Sequence, residues 1–310
     1  MKRYTSFASL FLATMACAPL ALADGDSQSP PPARVSPWAD GRDADYRKES
    51  PMLLTEVPSK AEVPASSAGS DTELAKKLSN PVAAMISIPF QFNYDTGFGP
   101  KDAYKLTLNV QPVIPITLND DWNLIIRTIV PVAYLDSVAD GADSAFGLGD
   151  TVQSWFFSPK APTAGGWIWG VGPVFLWPTA TDDQLGGEKW GAGPTGLLLK
   201  QENGWTYGML ANHIWSYAGD SDRSEVNATF LQPFLSYTFP SATTLTLNTE
   251  STYDWTSSQW TVPINLSVSQ LVRMGKLPVQ FAIGGRWYAE SPDGGPEWGV
   301  RFTMTILLPK

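Results

Sequence analysis

From Pro81 to the C-terminus apolar residues recur at every second position, the spacing at which a strand turns successive side chains to opposite faces of a sheet. From Trp298 one face carries Trp298, Val300, Phe302, Met304, Ile306 and Leu308, while the other carries Gly299, Arg301, Thr303 and Thr305. The same split recurs at Tyr104, Leu106, Leu108 and Val110 against Lys105, Thr107, Asn109 and Gln111. It appears again at Leu245, Leu247, Tyr253 and Trp255 against Thr246, Asn248, Glu250 and Asp254. Each segment has one oily face and one wet one.

Half-buried strands of a soluble β-sandwich alternate in the same way, so the strand ends decide between architectures. Of the 13 tryptophans all but Trp38 follow residue 120, most of them at segment ends. Trp and Tyr gain by lying at headgroup level, and transmembrane barrels carry such a girdle at each rim. The reading is therefore an all-β, closed, antiparallel up-and-down transmembrane β-barrel. Its expected strands are about twelve: 82–95, 103–117, 122–135, 147–158, 166–178, 189–201, 204–217, 226–239, 243–255, 259–271, 278–290 and 296–308. An even count returns both chain ends to one side.

The connections alternate in character. One set is short ("LNDD", "KQENG", "FPSAT", "RMGK"), as are periplasmic turns; the other is longer and acidic ("DSVADGADSA", "PTATDDQLGGEK", "YAGDSDRSE", "ESPDGGPE"), as are external loops. This threading sends Trp122, Trp155, Trp167, Trp205, Tyr237 and Phe239 to the periplasmic rim. It sends Trp177, Trp190, Trp215, Tyr217, Trp255, Trp260, Trp287 and Trp298 to the outer one.

Upstream of the strands, Lys2 and Arg3 precede an apolar run ending in Ala21-Leu22-Ala23, which reads as a signal peptide (1–23) cleaved before Asp24. Cys17 would leave with it, so disulfides and thiolate metal sites are excluded from the mature chain. No later segment has about 18 consecutive apolar residues, the minimum for a helical span. The formal charge of -9 argues against nucleic acid as a partner. Residues 24–70 are rich in Pro, Ser, Ala and charge and read as a flexible periplasmic extension. A short helix is predicted over 71–80, with Ser70 and Glu73 as a capping box and Pro81 as its stop. It would lie at the surface, dock at the barrel mouth or plug it; residues 81–310 form the barrel.

Few residues suggest chemistry. His213, in "LANHIWSY", shares a face with Trp215 and Tyr217, where a lipid hydrolase would place it. No nucleophile signature accompanies it, and the chain is read as a non-enzyme without cofactor or metal. The acidic pairs Asp182-Asp183 and Asp220-Ser221-Asp222 complete no calcium loop. Charges on the inward face say more, because a charge inside a barrel lines water or is paired. Parity assigns Lys105, Arg127, Glu250, Asp254, Arg286, Glu290 and Arg301 to that face as pore-lining residues. A hairpin centred between Asp293 and Gly294 would set Arg286 directly opposite Arg301, with Glu250 as counter-ion.

The stretches "FGLGDT", "SWFFSPKAPTAGGWIWGVGPVFLWPTATDDQLGGEKWGAGPT", "NPVAAMISIPFQFNYD", "LQPFLSYTF", "TLNTESTYDW" and "WYAESPDGGPEWG" resemble a bacterial outer-membrane barrel family described as transporters and often mislabelled neuromedin U. That family is related to the meta-pathway phenol-degradation barrels. The resemblance covers about residues 71–310 and implies an outer-membrane channel for aromatic or other small organic solutes, with no residue roles to carry over. The ending Leu308-Pro309-Lys310 departs from the terminal aromatic common in such barrels. The expectation is thus passive diffusion of a small-molecule solute through the outer membrane of a Gram-negative cell. The other expected partners are lipid, lipopolysaccharide and the barrel-assembly machinery. A hydrolase using His213 and a structural or adhesive barrel are the alternatives.

Overall fold

The computed structural model describes residues 65–308; the expected signal peptide (1–23) and most of the expected extension (24–70) lie outside them. Helix α1 (Ala65–Leu78) precedes a closed barrel of 12 antiparallel strands. These are β1 (Ile86–Phe98), β2 (Ala103–Val110 with Val113–Thr117), β3 (Trp122–Leu135), β4 (Ala145–Leu148 with Thr151–Pro159), β5 (Trp167–Trp177) and β6 (Lys189–Glu202). They continue with β7 (Trp205–Gly219), β8 (Asn227–Thr238), β9 (Thr243–Asn248 with Ser251–Asp254), β10 (Gln259–Met274), β11 (Leu277–Glu290) and β12 (Trp298–Leu308). Each strand pairs with its sequence neighbours, and β12 returns to β1 in register from Ile86↔Leu308 to Thr96↔Trp298. Closure leaves no free edge, which is what allows a sheet to face hydrocarbon.

Three strands are interrupted, two of them where proline removes a ladder donor. Strand β2 breaks at Gln111-Pro112, and β9 breaks at Thr249-Glu250, flanked by Pro233 of β8 and Pro263 of β10. Across the β9 break the register holds, since Phe234 pairs Asn248 and Leu231 pairs Ser251. Glu250 therefore keeps its inward parity while its backbone leaves the ladder.

Leu106, Met209, Leu245, Leu266 and Phe302 are exposed on the outer wall, the pattern of a lipid-facing belt. Aromatic rings from different strands meet at both ends. At one end Trp122 lies edge-on to Trp169 with centroids 5.7 Å apart, and Trp205 meets Tyr237 at 4.9 Å. At the other Trp177 meets Trp190 at 5.5 Å, and Tyr253 meets Trp260 at 4.9 Å. Asn203 and Gly204, at φ 48° and 84°, form the short turn between β6 and β7, where positive φ at both central residues matches the strand twist.

Two expectations change inside the barrel. Strands β3 to β8 turn a mixed face inward rather than a uniformly wet one: Ile125, Phe156, Leu197, Leu199 and Leu210 form a buried apolar cluster with Ile168, Phe230 and Phe234 packed on it, alongside Asn123, Arg127, Ser154, Thr195 and Ser236. Helix α1 begins at Ala65 rather than at Asp71, which puts Ser70 inside it instead of at its cap. Ser70 Oγ instead accepts from Arg273 Nη2 at 3.3 Å.

The helix closes over one barrel mouth. Ala75, Leu74 and Leu78 pack with Ala242, Leu271 and Leu307 of the barrel and with Met85. Hydrogen bonds fix it at Thr72 Oγ1 to Pro240 O (2.8 Å) and Gln201 Nε2 to Lys76 O (2.7 Å). Beyond the helix Val82, 5% exposed, enters the apolar cluster beside Ile125 and Leu199. Burying a valine contributes roughly 1.5–3 kcal/mol, so the excursion between the helix and β1 is anchored inside the wall by one side chain and by backbone turns. At the other mouth Leu185, from the β5–β6 loop, is fully buried against Ala133, Leu135 and Ala145.

Candidate functional site

Strands β9, β11, β12 and β1 bring one carboxylate and two guanidiniums together inside the barrel. Arg301 gives both terminal nitrogens to Glu250, Nη1 to Oε1 at 2.7 Å and Nη2 to Oε2 at 2.8 Å. Arg286 Nη2 lies 3.8 Å from the same Glu250 Oε2. A fork-on-carboxylate pair fixes both position and orientation, which one-point contacts do not. Asn93 lies between the arginines, its Oδ1 accepting from Arg301 Nε at 2.7 Å and from Arg286 Nη1 at 3.0 Å.

A second carboxylate completes the charge balance. Asp95 Oδ2 lies 3.3 Å from Arg286 Nη1, and Tyr288 donates its hydroxyl to Asp95 Oδ1. Arg286 also lies over the Tyr288 ring, 5.6 Å from its centroid. Two guanidiniums thus face two carboxylates, and each charge is hydrogen-bonded, the condition under which buried ions persist. Polar side chains extend the set: Gln91 Nε2 reaches Asn93 Oδ1 at 3.4 Å, Gln111 Nε2 reaches Gln91 Oε1 at 3.2 Å, and Arg127 Nη2 reaches Gln111 Oε1 at 2.8 Å.

Arg286 and Arg301 are not opposite one another. Arg286 pairs Gly299, and Arg301 pairs Gly284, a register two residues away from the one the hairpin centre implies. The offset relieves the like-charge contact, and it sets each long side chain against a glycine. A Cβ on Gly284 would stand 2.5 Å from Leu266 O and 2.7 Å from Ser267 Cβ, so the close approach of β10 admits only glycine there.

Of the other inward candidates, Lys105 adjoins this cluster, and Asp254 and Glu290 lie apart from it. Lys105 faces Asp95 across β1 and β2. Asp254 caps the β9–β10 turn, accepting from Thr256 N at 2.8 Å and Ser257 Oγ at 2.7 Å. Glu290 is exposed; a bulge leaves Ala289 unpaired and registers Glu290 with Val262, whereas Tyr288 registers with Pro263, so parity counted from Arg286 fails at that end. Asn93, Asp95 and Tyr288 were not singled out from the sequence. Asp95 and Asn93 show the i, i+2 polar signal in "FNYD", but neither the β1–β12 closure nor its register can be read from a local window.

His213 lies on the outer wall. Its Nδ1 is 2.7 Å from Thr229 Oγ1, which accepts from Trp255 Nε1 at 2.8 Å, and its ring meets Trp215 at a 46° tilt with centroids 3.9 Å apart. Its Nε2 is buried without a hydrogen-bond partner among the described residues, so no third group orients the imidazole. Among the described residues no group of three or more His, Cys, Asp or Glu is placed to hold a metal ion.

Fold and interior together define a twelve-stranded transmembrane β-barrel with a charged half-wall. No family model and no curated protein matches the sequence. Among solved structures the chain is similar to an outer membrane channel from Pseudomonas putida F1, with a TM-score of 0.57 at 15% identity over 73% of this chain and 96% of that one. It is also similar to outer membrane phospholipase A from Escherichia coli (TM-score 0.44, 10% identity, 72% and 90% covered). The KdgM porin in complex with disordered oligogalacturonate gives a TM-score of 0.39 at 11% identity, covering 72% and 99%. At these identities the likeness is one of fold.

Proposed function

We propose that the protein is an outer-membrane channel through which small solutes diffuse passively, with its N-terminal segment periplasmic. The observation that carries this reading is the ion-paired bridge between Arg301 and Glu250, held inside a wall whose outer face is apolar. A barrel that only anchors or adheres gains nothing from desolvating four charges, whereas a channel uses such a set to fix the width and selectivity of its narrowest part. Strand number agrees, because about eight strands fill their interior and sixteen to eighteen leave a wide aqueous channel. Constriction by Arg127, Glu250, Arg286 and Arg301, with α1 and Val82 narrowing one mouth, suits a small and gated pore. Lipid and lipopolysaccharide would surround the wall, and the barrel-assembly machinery would insert it. Membership of the neuromedin-mislabelled transporter family, with its link to aromatic compounds, belongs to this proposal as well.

Liposome swelling with purified full-length protein tests the reading. Swelling in small neutral sugars is expected, and it should quicken in Val82→Asp, which expels the segment from its apolar site. Absence of permeability in both proteins would reject the channel. The hydrolase reading lacks an oriented base, and His213→Ala should leave phospholipid turnover at the background of empty detergent micelles.

A further inference from the structure

We propose that the cavity between residues 77–85 and the barrel wall is a binding site for a small carboxylate with an apolar body. This names a solute class for the proposed channel and in that respect rests on that reading. The cavity holds about 250 Å³ and is lined by Lys77 and Arg127 but by no Asp or Glu, in a chain whose net charge is -9. Chance lining would favour the opposite sign.

Arg127 is the recognition group. Its Nη2 donates to Gln111 Oε1 at 2.8 Å, and it makes no salt bridge among the described residues. Glu250, the carboxylate that acts on it electrostatically, is already held bidentate by Arg301. A guanidinium inside a wall calls for an anion, and its planar fork fits a carboxylate better than it fits a spherical ion. Ser236 Oγ and Asn248 Oδ1, both on the lining, are buried with no hydrogen-bond partner among the described residues. The Ser236 hydroxyl can donate to a ligand carboxylate, whereas the Asn248 oxygen accepts and would be satisfied by a hydroxyl or amide N–H elsewhere on the ligand. Phe234 and Met85 line the same space and supply an apolar flank. The volume is below the roughly 300–1,000 Å³ of sites for drug-sized molecules, which limits the ligand to a small acid.

Benzoate and its neutral isostere benzamide are the probes, titrated calorimetrically into full-length protein in detergent at pH 7. Benzoate is expected to bind about tenfold or more tightly than benzamide, the difference a charge-assisted pair makes. Arg127→Gln should remove that preference. Gln280→Glu, which puts a carboxylate into the cavity at a lining residue given no part in recognition, should weaken benzoate to a similar degree and leave benzamide unchanged. Retention of the heat-modifiable gel shift shows that each variant still forms a barrel. Equal binding of the two probes, unaltered benzoate affinity in both variants, or inorganic phosphate displacing benzoate at equal concentration would overturn the proposal. Permeation is scored separately: benzoate binding without swelling defeats the channel and keeps the site, and swelling without binding does the reverse.

Discussion

Strands β3 to β8 turn Ile125, Phe156, Leu197, Leu199 and Leu210 into the barrel, whereas β9 to β12 and β1 turn in Glu250, Asn265, Arg286, Arg301 and Asn93. The first half of the wall is held mainly by apolar packing around a few polar groups such as Arg127 and Ser236, the other by paired charge. The difference teaches that a lipid-facing barrel need not be uniformly wet inside. The apolar cluster gives the N-terminal segment a surface to bury Val82 against, while the opposite half keeps the charges that a solute would pass in the proposed channel. Loss of a group should therefore be felt differently in the two halves.

The largest effect is expected at Glu250. Its removal leaves Arg286 and Arg301, 9% and 12% exposed, facing each other without their shared carboxylate. Breaking a buried pair from one side costs about 3–5 kcal/mol, so Glu250→Ala should lower the urea midpoint of refolding into lipid by that equivalent. Next comes Leu199→Ala in the apolar half, where a fully buried side chain leaves a cavity; the expected loss is about 2–4 kcal/mol. If the halves are independent, the Glu250→Ala and Leu199→Ala costs add within roughly 0.5 kcal/mol in the double variant. Strong coupling would break the division into two regions.

Smaller effects are expected at the rims. Asp71 and Arg273 join α1 to β10 at 23% and 41% exposure; Asp71→Asn should cost about 0–1 kcal/mol and less in high salt. In the loop before β8, hydrogen bonds from Ser216 and then Lys189 hold the Glu225 carboxyl below its ordinary value of 4.5. A depressed carboxylate contributes stability above its unfolded value and loses it as pH falls through the folded one. The stability difference between wild type and Glu225→Gln should accordingly be present at neutral pH and vanish in acid well below 4.5.

Much of the fold is legible in the sequence because period-two alternation and aromatic ends are local signals. "WGVRFTMTIL" and "YKLTLNV" declare their two faces residue by residue. The apolar half-wall is less plain, yet "GLLLK" and "WIWGVGPVFLW" abandon strict alternation, the pattern of strands buried on both faces. Glu250, Arg286 and Arg301 follow from parity alone, because no bulge intervenes between them and their strand centres. Their spacing does not, since the β11–β12 register depends on a loop whose length only bounds it. The contributions of Asp95 and Tyr288 depend on barrel closure, a contact across most of the chain. The site of Val82 is hidden for the same reason: nothing in "NPVAAM" says which wall it meets.

The central claim, that the charged half-wall constricts a conducting lumen, is tested most directly by single-channel current. Val82→Asp protein in a planar bilayer is compared with the same protein carrying Arg301→Ala. Freeing Glu250 from its bidentate partner should raise the conductance and shift the reversal potential in a salt gradient toward cation selectivity. Identical conductance and identical reversal potential in the two proteins would contradict the account.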